Sequence, residues 1–197
     1  MYTWESETQS GEGCRGRISR KALMLGNQMR LLWEQHVYWM RLFISGTVFD
    51  SPDVEVTQER LLRNPKDFAA VLERFYGAED AEKFAELLTS HLTIAAGLVS
   101  AAKVGDSAKA ADAERRWYEN ASQIAAYFSR INPYWSARQW REMLDSHLAM
   151  TKQEAADFIS KNYEASVSIF ERIEQEALDM ADMMTGGILL QFPSLFM

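Results

Sequence analysis

The chain has 197 residues, 47% of them hydrophobic and 12% aromatic, enough for one substantial core. Its 21 basic and 28 acidic residues leave a net charge of −7, a surface that repels nucleic acid and anionic lipid, so neither is expected as the main partner. The single cysteine, Cys14, excludes an internal disulfide, the opening residues lack the apolar run of a secretory signal, and no stretch reaches the roughly 18 uninterrupted apolar residues of a membrane span; a cytoplasmic protein is expected.

Residues 1–19, rich in Ser, Gly and charge, read as a flexible arm carrying Cys14 as an incidental thiol. From there apolar residues recur at helical spacing and strand-like alternation is absent. A first helix is predicted over Arg20–Gly46, with a turn at Asp50–Asp53. A second covers Thr57–Tyr76, broken at Asn64, which is expected to cap a renewed helix beginning on Pro65. Gly77 ends it. A third runs over Glu79–Val104, Gly105-Asp106 turns the chain, and a fourth covers Ser107–Ile131 before Asn132-Pro133. The fifth begins near Ser136, and the capping-box pattern at Thr151–Glu154 predicts a restart just past His147. The last, Asn162–Thr185, ends at Gly186-Gly187, leaving 188–197 as an apolar tail that docks on the body or on a partner, possible partners including a second copy of the chain. Short connections make sequential helices antiparallel neighbours. The expected architecture is therefore all-α: a single up-and-down antiparallel bundle of about six helices over 20–187.

All three histidines occupy the same place in a repeated helical phrase: His36, His91 and His147, spaced 55 and 56 residues apart. The repeat extends further, because Asn64–Phe75 matches Asn120–Ile131 position by position at an offset of 56. A helical hairpin has been duplicated on this reading, with a histidine-bearing helix and a return helix in each copy and a third copy shortened between His147 and Tyr163-Glu164.

At 100° per residue, His36 shares a face with Met29, Trp33, Met40 and Phe43; His91 with Phe84, Leu88 and Ala95; and His147 with Trp140, Leu144 and Thr151. Each imidazole is expected inside. Glu154 lies two turns beyond His147 on the same face, and Glu174 beside Val167, Phe170 and Ala177 on the last helix, whereas Glu171, Glu176, Asp179 and Asp182 are expected to face water. On the fourth helix Asn120 shares a face with Trp117 and Ile124. His36, His91 and His147 with Glu154 and Glu174 make a candidate metal site, Asn120 supporting it from behind; His with carboxylate suits iron, zinc, manganese or nickel. The alternative reading makes the histidines packing groups that hydrogen-bond to Asn, Glu or backbone carbonyls, and gives the chain a non-enzymatic interaction role through its tail. The Glu-x-x-His signature of ferritin-like di-metal bundles is missing, since Trp33, Leu88 and Leu144 stand three residues before the histidines. The ten Met and six Trp read as core filling.

Trp33–Val37 (WEQHV), Leu61–Asp67 (LLRNPKD), Ile131–Pro133, His147–Glu154 (HLAMTKQE) and Ala177–Met184 (ALDMADMM) resemble a family of small helical bacterial proteins without established function, and the likeness covers nearly everything after residue 20. Its members often carry the label acetylglutamate kinase. Kinases of that kind are α/β proteins that cradle phosphates with Gly-rich loops after strands, whereas Gly26, Gly46, Gly77, Gly97 and Gly105 stand singly in or between helices. The family is also loosely similar to ferritin-like bundles, which implies a fold and no chemistry.

Overall fold

Ser19 starts the first helix by accepting the Ala22 amide on its hydroxyl at 3.2 Å, the capping geometry that a helix N-terminus favours. In the computed structural model, which describes residues 19–197, the chain order is α1 (Arg20–Val48), α2 (Val54–Leu61), α3 (Asn64–Lys103), α4 (Ser107–Ile131), α5 (Ala137–Ile159), α6 (Tyr163–Gln191) and a 3-10 turn (Pro193–Phe196). The arm, with Cys14, lies outside the described residues. No strand occurs among the described residues, so the fold is an all-α helical bundle. Asp106, Ser136 and Asn162 cap α4, α5 and α6 through the amides of Lys109, Gln139 and Ala165. Gly77, at φ 81° and ψ 170°, interrupts α3 in a conformation that side chains resist. The half of α3 after it carries His91.

Contacts between helices run in opposite senses. Along α1, Gln28 and His36 meet Arg74 and Asn64 of α3, while Arg30 and Arg41 meet Asp182 and Ser166 of α6. Asp80 and Leu87 of α3 meet Arg130 and Asn120 of α4, whose Glu114 and Phe128 meet Lys152 and Trp140 of α5. Sequential helices are antiparallel neighbours around a core containing the fully buried Trp117, Trp135 and Trp140. Within Val54–Lys103 an 18-residue window reaches a mean hydropathy of 1.3, and half of it is buried inside the bundle.

Three local expectations are corrected. α5 runs unbroken through Thr151, which is buried in the core face instead of capping a new helix. Asn64 opens α3 without a side-chain capping bond, because its amide is used elsewhere. α6 continues through Gly186 and Gly187 to Gln191, because the bare Gly187 backbone is packed against the Trp135 indole, whose Nε1–H donates to the Met183 carbonyl at 3.2 Å. The tail docks on the body: Phe192 lies 5.8 Å from Phe75 and 5.5 Å from Tyr76, Phe196 lies 6.0 Å from Phe75, and Gln191 donates to the Ile131 carbonyl at 3.1 Å.

A candidate three-histidine centre

α1, α3 and α5 bring their histidines together in the interior. His36, His91 and His147 are 2%, 2% and 3% exposed, and the His36 ring centroid is 5.9 Å from that of His147 and 6.4 Å from that of His91. Burial forces each ring to find a partner, because an unpaired buried polar group costs on the order of 1–3 kcal/mol.

Two rings solve this identically. His36 Nδ1 is 3.2 Å from Asn64 Oδ1, and Asn64 Nδ2 donates to the Leu32 carbonyl at 3.0 Å; His91 Nδ1 is 2.8 Å from Asn120 Oδ1, and Asn120 Nδ2 donates to the Leu87 carbonyl at 3.1 Å. These bonds assign the protons. A carbonyl only accepts, so the amide nitrogen must face it, the amide oxygen must face the ring, and Nδ1 must carry the hydrogen. Each Asn thus ties its histidine to the carbonyl four residues before that histidine and leaves Nε2 with a lone pair. For His91 that lone pair is taken by the Trp117 indole N–H at 3.1 Å.

His147 is different. Its Nδ1 lies 3.6 Å from Glu176 Oε2, and both atoms are buried without a hydrogen bond. The Trp33 and Trp140 indole nitrogens and the Thr151 hydroxyl are likewise buried and unpaired; the Trp33 ring lies 5.6 Å from His36 and 6.4 Å from Trp140. Burial, reinforced by His147 and His91, pushes the His36 imidazole down to about 3, and burial, with His147 assisting against the Asn120 bond, takes His91 to about 3. Both are neutral imidazoles at ordinary pH. Asn120→Ala, which strands the His91 Nδ1–H, is expected to lower stability by about 2 kcal/mol, read as a shift of the urea midpoint.

The carboxylates named from the sequence are placed elsewhere. Glu154 is 1% exposed, but it is ion-paired with Arg41, whose guanidinium also donates to the Ser166 carbonyl at 2.9 Å and sits over the Phe158 and Phe170 rings at 4.9 and 4.6 Å. Burial pushes the Glu154 carboxyl up to about 7 despite Arg41. Glu174 is half-buried near Glu34, whose carboxyl is raised by burial and then by Glu174. The carboxylate that meets a histidine is Glu176, which the sequence reading turned to water, and it falls 29 residues after His147, the separation that also joins His91 to Asn120. The signal was available: adding the repeat offset of 56 to Asn120 lands on Glu176.

Among the described residues no group of three or more His, Cys, Asp or Glu is drawn together tightly enough to hold a metal ion as it stands. Three imidazoles at about 2.1 Å from one ion would set their ring centroids about 5 Å apart. The spacings from His36 to His147 and to His91, 5.9 and 6.4 Å, are about 1 Å wider than that, and the His91 Nε2 lone pair is engaged by Trp117. Comparison with known protein families, with curated proteins and with solved structures returns no match to this chain.

Proposed function

We propose that this chain is a metal-binding helical-bundle protein, built from three copies of a histidine-bearing helix and its return helix, whose His36–His91–His147 centre takes up one transition-metal ion. The supporting observation is the convergence of three buried imidazoles, two of them fixed as Nδ1–H tautomers by Asn64 and Asn120. A histidine that ligates through Nε2 gives its other N–H to an oxygen acceptor, which fixes its orientation. With Glu176 beside His147, the donor set suits iron, zinc, manganese or nickel, and three protein ligands leave a position for water, as hydrolytic or redox chemistry requires. Loading requires Trp117 to release His91, and His91 and His147 to close on His36 by about 1 Å.

A second reading, favoured by the Trp117–His91 bond, makes the histidines structural clamps between each helix and its return helix. The chain would then act as an interaction module through the exposed Leu190, Leu195 and Met197 at its C-terminal end. Trp117→Phe separates the two. If the centre takes up metal, freeing His91 Nε2 raises affinity for added Zn²⁺ by up to about tenfold, the worth of one hydrogen bond. The clamp reading requires lower stability and no uptake. Elemental analysis of the untagged chain, as purified and after reconstitution with iron, zinc, manganese and nickel, is the companion measurement; absence of metal in all of these preparations refutes the metal reading.

A further inference from the structure

A groove of about 700 Å³ lies where the start of α1, the end of the first half of α3 and the C-terminal 3-10 turn meet. Its lining includes two cations, Lys21 and Arg74, and no acidic residue, in a chain whose net charge is −7. On α1, Lys21, Met24, Leu25 and Gln28 fall at i, i+3, i+4 and i+7, so they form one stripe about 10 Å long. Across from it stand Phe75, stacked at 6.0 Å on Phe196, and Leu195. Leu25 is buried, whereas Met24 and Leu195 are 60% and 47% exposed. Arg74 is held in place. Its Nη2 donates to Gln28 Oε1 at 2.9 Å, its Nε donates to the Val71 carbonyl at 3.3 Å, and its guanidinium lies 5.6 Å from the Phe75 ring centroid. Among the described residues neither Arg74 nor Lys21 is ion-paired with a carboxylate.

An occupant of this groove has to be apolar along most of its length and negative at one end. The volume falls in the range of about 300–1,000 Å³ typical of small-molecule sites, whose walls are mostly apolar with a few placed polar groups. A guanidinium already oriented by Gln28 and Val71 has donors left for a carboxylate, and such charge-assisted bonds are stronger than neutral ones. Met24, with three rotatable bonds and a polarisable sulfur, adapts to a flexible chain, and the methylene stem of Lys21 covers apolar surface while its ammonium stays in water. An anionic bilayer fits less well, because the surface as a whole is negative and the apolar side chains line a concavity. We propose that this groove binds a single-chain fatty carboxylate, its head on Arg74 and its chain over Leu25, Phe75 and Leu195. The inference is independent of the histidine centre.

The test is calorimetric titration of the full-length chain with dodecanoate below its micelle-forming concentration, and with dodecyltrimethylammonium, which has the same chain and the opposite charge. The natural chain is expected to bind one dodecanoate and not the cation. Arg74→Gln removes the head contact at an exposed position and is expected to weaken dodecanoate binding about 10- to 100-fold, the worth of one hydrogen bond to a charged group, with the melt unchanged. Leu195→Asp sets a negative charge against the chain and is expected to abolish binding; if it does not fold, Met24→Asp takes its place with the same expectation. Equal dodecanoate affinity in the natural chain and Arg74→Gln overturns the inference, as does equal binding of the cation. Failure of the natural chain to bind dodecanoate also overturns it. In that case binding to phosphatidylglycerol vesicles would make the groove a membrane contact, and a sedimenting dimer that Leu195→Asp dissociates would make it a contact between copies.

Discussion

Gly187→Ala is expected to destabilise the chain by about 4 kcal/mol, while Gly186→Ala, one residue earlier in the same helix, stabilises it by up to about 1 kcal/mol. A Cβ on Gly187 would stand 1.9 Å from Trp135 Nε1 and 2.4 Å from its Cδ1, whereas one on Gly186 meets nothing within 4 Å. The indole has no retreat. It is 1% exposed, with ring centroids at 5.6 Å from Tyr76, 5.2 Å from Phe128 and 6.3 Å from Trp140. Moving it would also break its N–H bond to the Met183 carbonyl. Overpacking of this kind costs typically about 1–3 kcal/mol, and a stranded buried donor about as much again. At Gly186 only the helix propensity changes, and Ala is the better helix former. Urea unfolding of the two variants reads both signs; equal midpoints would show that Trp135 has room to move.

The same pair of glycines explains where the sequence misleads. Two adjacent glycines after a periodic segment are the usual mark of a helix end, because glycine costs a helix most when nothing compensates. Here the compensation is tertiary: the missing side chain lets an indole lie on the α6 backbone, and the helix continues to Gln191. Thr151–Glu154 fails for a related reason. The capping-box spacing is present, but Thr151 lies on the face that α5 buries, four residues from His147, and packing holds the helix through it. Where the boundary is set locally, the reading succeeds. α4 begins and ends where Asp106 and Asn132 mark it, and Gly77 breaks α3 in a backbone conformation that only its lack of a Cβ makes easy.

The centre divides in the same way. The convergence of His36, His91 and His147 follows from periodicity, because each sits in the middle of an apolar face and three such faces must meet in one core. The partners do not follow from periodicity. Asn64 looks like a cap because it precedes a proline, yet its amide serves His36, and only the equivalence with Asn120 reveals the role. Glu176 looks solvent-facing on an acidic stretch, yet it turns inward with 14% of its side chain exposed. Trp117 is a core residue by any pattern, and that its N–H meets a histidine lone pair depends on the ring's angle, which no spacing encodes.

Arg41→Met is expected to destabilise by about 3–5 kcal/mol at pH 8, and by only about 1–2 kcal/mol at pH 5. Arg41 is the cation facing Glu154, which is 1% exposed and whose neighbour Asp157 adds further negative charge. Removing one member of a buried pair leaves the other charged and unpaired, and the folded chain then answers by taking up a proton. The sign follows from linkage. Glu154 has its folded value raised to about 7, above the range of an unfolded glutamate, so the stability it contributes is full below that unfolded range and is lost as pH rises through about 7. Without Arg41 the folded carboxyl rises further, so the loss extends to higher pH, while at pH 5 the carboxyl is neutral in both folded proteins and only packing and hydrogen bonds differ. His36 and His91 act in the opposite sense: lowered to about 3 in the folded chain, they contribute stability above the unfolded imidazole range that is lost as pH falls towards 3. That contribution is common to both proteins and cancels in the difference. Glu154→Gln supplies the control, since it carries no titrating group and its stability relative to the natural chain should rise from pH 5 to pH 8. A loss for Arg41→Met that stays constant across this range would mean that Glu154 is ionised throughout and that Arg41 more than compensates its burial.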